Sequence, residues 1–104
     1  MTTHNKNTQH MTRAKQSETF EAEQHRLQRE ILASPNWSLA EKAVVKWQLK
    51  LYGDFYTALW QAIMRADEGN LAKLALGFPN EVEGYKAWAW GDLWRRLRAT
   101  GLEI

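Results

Sequence analysis

The stretch from Gly53 to Pro79 constrains this chain more than any other. Phe55, Leu59, Ala62, Ile63 and Ala66 recur at helical spacing, so the segment must turn one apolar stripe toward a core. Asp54 is placed to cap its start. Ala66-Asp67-Glu68-Gly69-Asn70 then interrupts the pattern, with Asn70 available as a second cap, and Leu71, Leu74 and Ala75 resume it up to Phe78-Pro79. This predicts a helical hairpin closed by a short turn.

The segments on either side read as helices that cover this hairpin. Ser38 followed by Glu41 is a capping box, after which Ala40, Val44, Trp47 and Leu51 define one face and Lys42, Lys46 and Lys50 another. Beyond Pro79, Asn80 with Glu83 repeats the capping-box spacing, and Val82, Tyr85 and Trp88 form an inner face. Trp88 and Trp90 are two residues apart and point about 200° apart on a helix, so both cannot enter one core. Gly91-Asp92 can interrupt and recap that helix. Leu93, Trp94 and Leu97 then lie beside Arg95, Arg96 and Arg98, and Gly101 suits a C-cap. Upstream, residues 1–12 are expected to be a disordered arm. Residues 13–33 read as a polar helix with a sparse stripe of Phe20, Leu27, Ile31 and Leu32, marginal unless docked.

The expected fold is therefore all-α, a small bundle of about four to five helices with a central helical hairpin and a polar N-terminal arm, its compact part being residues 34–104. So small a core supplies roughly 3–5 kcal/mol on its own, and six Trp residues reinforce it. No Cys is present, which removes disulfides, thiolate chemistry and Cys-ligated zinc. With neither an apolar run of about 20 residues nor a signal-peptide pattern, the expected location is cytoplasmic. A net charge of +2 conceals a division: residues 54–83 carry two basic and five acidic side chains, and the flanking segments are basic.

From Phe55, Ala58, Leu59, Ala62, Ile63, Ala66, Asp67, Asn70, Leu71, Leu74, Gly77, Phe78 and Pro79 comes the pattern FxxALxxAIxxADxxNLxxLxxGFP. Continued through Glu81-Val82-Glu83, Tyr85 and the WAWGDL and RLR tail, it resembles small uncharacterised helical proteins of phages, prophages and conjugative elements. The likeness covers roughly residues 50–104. It implies an accessory bacterial or phage protein and brings no activity with it.

Catalytic chemistry is not expected. His4, His10 and His25 all precede the packed part, Ser34 and Ser38 are explained by a turn and a cap, and no phosphate-cradling glycine loop exists. The acidic pairs Asp67-Glu68 and Glu81/Glu83 suit helix first turns. His4 and His10, with flexible chain between them, define no metal geometry, and no cofactor is expected. A helix-turn-helix fails because its second helix offers only Lys73 to a duplex. The leading expectation is a protein-binding module that inhibits or modulates a host system. Its contact residues are Trp90, Trp94, Arg95 and Arg98, facing a host or element-encoded protein or a second copy of the chain. The alternative is a nucleic-acid-associated protein using Lys42, Lys46, Lys50 and Arg96 together with Arg95 and Arg98, with Trp90 or Trp94 for stacking.

Overall fold

The computed structural model describes residues 19–104, and the expected arm, the start of the polar helix, His4 and His10 lie outside them. The described residues form six helices and no strand: α1 (19–33), α2 (Leu39–Gln48), α3 (Asp54–Arg65), α4 (Glu68–Gly77), α5 (Pro79–Ala89) and α6 (Leu93–Ala99). Six replaces the expected four to five; the interruption expected at Gly91-Asp92 is present and makes Leu93–Ala99 a helix of its own. No described helix is long and apolar enough to cross a membrane.

Local chemistry sets the helix starts. At α2 the Ser38 hydroxyl accepts from Glu41 N–H (3.0 Å) and the Glu41 carboxylate accepts from Ser38 N–H (2.8 Å), the expected capping box. α4 begins earlier than expected, because the Asp67 carboxylate takes Asn70 N–H at 2.8 Å and makes Asp67, not Asn70, the cap. At α3 Gly53 is the N-cap and Asp54 the first helical residue, so Asp54 offers its charge to the helix dipole rather than a capping bond. Pro79 opens α5 at the position where a missing N–H costs nothing, and neither Asn80 nor Glu83 forms a capping box there.

Helix ends fall into one informative pair. After α2, Lys50 N–H donates to Trp47 O (3.1 Å) and Leu51 N–H to Lys46 O (2.8 Å), a Schellman closure with Lys50 left-handed at φ 56°. After α6 the left-handed position is occupied by Gly101, φ 96°. Glycine takes that conformation freely and lysine at a cost of about 1 kcal/mol. Leu51, expected on the buried face of α2, follows the closure and is exposed.

α5 is the element around which the others pack. α2 crosses it most extensively, α4 next, and α3 and α6 to a lesser extent. α3 and α4 are joined by the expected short turn, yet each leans on α5 more than on the other, so the hairpin is a connection rather than a packed pair. The α2–α5 crossing is tight at Gly84, where a Cβ would stand 2.4 Å from Ala40 O and 2.8 Å from Val44 Cγ2. Val44, Val45, Trp60, Leu93 and Leu97 are fully enclosed, joined by Ile63, Val82 and Leu102. Trp60 stacks on Trp47 with rings parallel at 4.4 Å, and Trp47 meets Tyr85 at 6.4 Å and Trp88 at 6.2 Å, so one aromatic cluster ties α2, α3 and α5.

The polar helix α1 is part of this packing. Ile31 is buried, and Leu27 and Leu32 lie against the core, whereas Phe20 is exposed. The Gln24 amide grips the C-terminal segment at two points: Nε2 donates to Gly101 O (2.9 Å) and Oε1 accepts from Glu103 N–H (2.7 Å).

Candidate interaction surface

Two of the six tryptophans remain substantially in solvent, Trp90 at 69% and Trp94 at 39% exposure. Trp90 sits where α5 ends, its N–H bonded back to Lys86 O and Ala87 O, so the main chain is fixed where the indole leaves it. Its ring meets Tyr85 edge-on at 5.8 Å. Together they wall a cleft of about 510 Å³ between α4 and α5, with Ala66, Leu71 and Ala72 as apolar lining and Glu68 and Lys86 as charged groups. Such a cleft suits an apolar side chain carried on a polar segment.

Burial of Leu93 and Leu97 fixes how α6 sits. Their neighbours at helical spacing, Trp94 and Arg98, share one flank, with the Arg98 guanidinium 5.7 Å from the Trp94 ring centre. Arg95 is exposed on the outer side. The opposite flank carries Arg96, which bonds the Glu41 carboxylate at 2.7 Å and Asp92 at 3.2 Å and lies 5.8 Å from the Trp37 ring centre. Partial burial works to raise the Glu41 pKa, but the Ser38 N–H and the bonded, charged Arg96 outweigh it and the net shift is downward.

Of the expected protein-binding residues, the fold thus pairs Trp94 with Arg98, sets Arg95 on the outer side of their helix, and gives Trp90 a cleft of its own. Tyr85, Leu71, Glu68 and Lys86 join the site without having been expected there. Helical spacing places Tyr85 on the inner face of its helix, and its distance from Trp90 in sequence carries no signal across the helix end. Of the residues named for nucleic acid, Arg96 is held by two carboxylates, Lys42 and Lys46 lie on α2, and Lys50 lies past its end.

A second aromatic region lies at the start of α3. Tyr52 and Tyr56 stack at 4.5 Å, Phe55 meets Tyr56 edge-on at 5.3 Å and Phe78 at 5.9 Å, and Lys46 Nζ is 5.8 Å from the Tyr52 ring centre. Burial, then the charge of Glu81 and the neighbouring Tyr56, push the Tyr52 hydroxyl up to about 12, which keeps it protonated. Phe55, expected in the core, is 63% exposed here. Among the described residues no group of three His, Asp or Glu is placed to hold a metal ion. No protein-family model, curated protein or solved structure matches this chain.

Proposed function

We propose that this chain is a protein-binding module that works without catalysis, capturing an apolar side chain of its partner in the α4–α5 cleft and seating the partner's flank on α6. The observation that carries the reading is Trp90, 69% exposed at the mouth of an apolar cleft although three other aromatic residues of the chain already interlock around Trp47. The Trp90 ring touches Tyr85 only at its edge and leaves most of its surface in solvent, and Trp, Tyr and Arg are the residue types that dominate binding hot spots. Trp94 with Arg98, and Arg95 beside them, extend the same kind of surface along α6. The resemblance of residues 50–104 to phage, prophage and conjugative-element proteins supplies the setting, an accessory protein acting on a host system, and rests on the sequence pattern alone.

The test is capture by the tagged full chain from bacterial lysate, with and without nuclease, repeated with Trp90→Ala and Trp94→Ala together. A defined protein that survives nuclease and is lost from the double variant is the expected result. A protein retained equally by the double variant, or no protein after nuclease, overturns the reading. Light scattering on the purified chain distinguishes a second copy as that partner.

A further inference from the structure

The three lysines of the α2 region carry no ion pair among the described residues, although Arg26 and Arg96 each hold two carboxylates. Lys42 and Lys46 line a cleft of about 360 Å³ with Tyr52, Tyr56 and Glu81. Lys50 lines a neighbouring cleft of about 410 Å³ with Trp47, Tyr52, Thr57 and Gln61. Tyr52 lines both, and the two adjoining clefts make a groove along α2, walled at one end by Leu32 and the α5 start at Asn80 and Glu81 and at the other by α3 from Thr57 to Met64. Its α2 bank is basic, its α3 bank neutral, and Glu81 is the one acidic side chain lining it.

Lys50 supplies an independent sign. It holds the left-handed position of a Schellman closure, and the left-handed position after α6 is filled by Gly101. Lysine there is the less stable choice, and residues kept in costly backbone conformations concentrate where the side chain has work to do. We propose that this groove binds single-stranded nucleic acid, with Lys42, Lys46 and Lys50 on successive phosphates and a base against the Tyr52–Tyr56 stack.

The Lys46 ammonium now rests over Tyr52, a weak contact at an exposed site, and a phosphate draws it off the ring and frees that face for a base. A duplex keeps its bases stacked on one another and makes no use of the tyrosine faces. An acidic peptide satisfies the lysines but leaves those faces unused, so the single strand is the occupant that engages both banks.

The test is anisotropy of labelled oligo-dT and oligo-U with the full chain across a salt series. Three phosphate contacts give a slope of log K against log salt of about −2, taking about 0.7 per contact for a single strand. Changing Lys42→Ala, Lys46→Ala and Lys50→Gly together is expected to weaken low-salt binding at least about tenfold and bring the slope close to zero. Lys50→Gly alone is expected to raise the melting temperature while lowering oligonucleotide affinity, a combination that a purely structural lysine does not give. Tighter binding of oligo-dT or of oligo-U distinguishes DNA from RNA within the proposal. Binding lost through Arg95→Gln and Arg98→Gln but retained by the lysine variant overturns it, as does lysine-dependent binding of polyglutamate with none of either oligonucleotide.

Discussion

At Gly84 two helix backbones come closer than any side chain permits. A Cβ there would lie 2.4 Å from a main-chain oxygen, which cannot swing aside as a side chain can. Gly84→Ala therefore gains roughly 1 kcal/mol of helix propensity and loses more by spreading α2 from α5, for a net destabilisation of about 1–2 kcal/mol. Gly77, near the end of α4, has nothing within 4 Å of its Cβ position, and Gly77→Ala is expected to stabilise by about 0.5–1 kcal/mol. Thermal unfolding of the two variants checks the contrast, and a stabilised Gly84→Ala would refute the close crossing. Trp60 is the opposite kind of residue. It is wholly enclosed, its ring flat against Trp47, and its indole N–H has no hydrogen-bond partner among the described residues, so its contribution comes from stacking and buried area.

Between elements, two polar ties add to the burial that places α6 and α1. The Arg96–Glu41 pair links α6 to the first turn of α2, and Glu41 serves the capping box as well. Since its folded pKa is below the ordinary value, the stability it contributes is present above that ordinary value and is lost as pH falls through the lowered one. Urea unfolding is thus expected to show wild type losing stability below about pH 4.5 more steeply than Glu41→Gln. Arg96 is about half exposed, so solvent screening holds the pair to about 1 kcal/mol or less. The second tie is Gln24. Gln24→Ala removes both bonds to the C-terminal segment, and hydrogen exchange is expected to speed at the Glu103 amide and along α1 while α2 and α5 keep their protection. Unchanged exchange at Glu103 would count against this link.

These elements also show what the sequence made legible. Ser38 with Glu41 specifies a helix start because both partners of the bond lie within four residues, and the Trp88/Trp90 opposition follows from helix geometry alone. The buried face of α3 is a different matter. Spacing favoured Phe55, Leu59, Ala62 and Ile63, whereas the packed face is Leu59, Trp60 and Ile63, rotated toward the tryptophan. Periodicity weights Ala62 and Trp60 equally, but a core weights them by buried area, and Trp60 had Trp47 to stack on. The α4–α5 cleft and the Lys50 geometry were not legible for a related reason: both depend on how separate segments meet or on a backbone angle that the residue type does not announce.

Across the whole molecule, α5 is the shared surface: α2, α3, α4 and α6 all pack on it, and the aromatic cluster closes only when Tyr85 and Trp88 reach Trp47. Its most extensive contact therefore joins residues some forty positions apart, between Ala40 or Val44 and Gly84. A nascent chain presents α2 and α3 well before residues 79–89 are made. During that interval Val44, Trp47 and Trp60 have each other but no spine to lie on, and their apolar surface is open to chaperones and to other unfinished chains. That open interval ends only when α5, and after it the Leu93, Leu97 and Leu102 that complete the core, have left the ribosome.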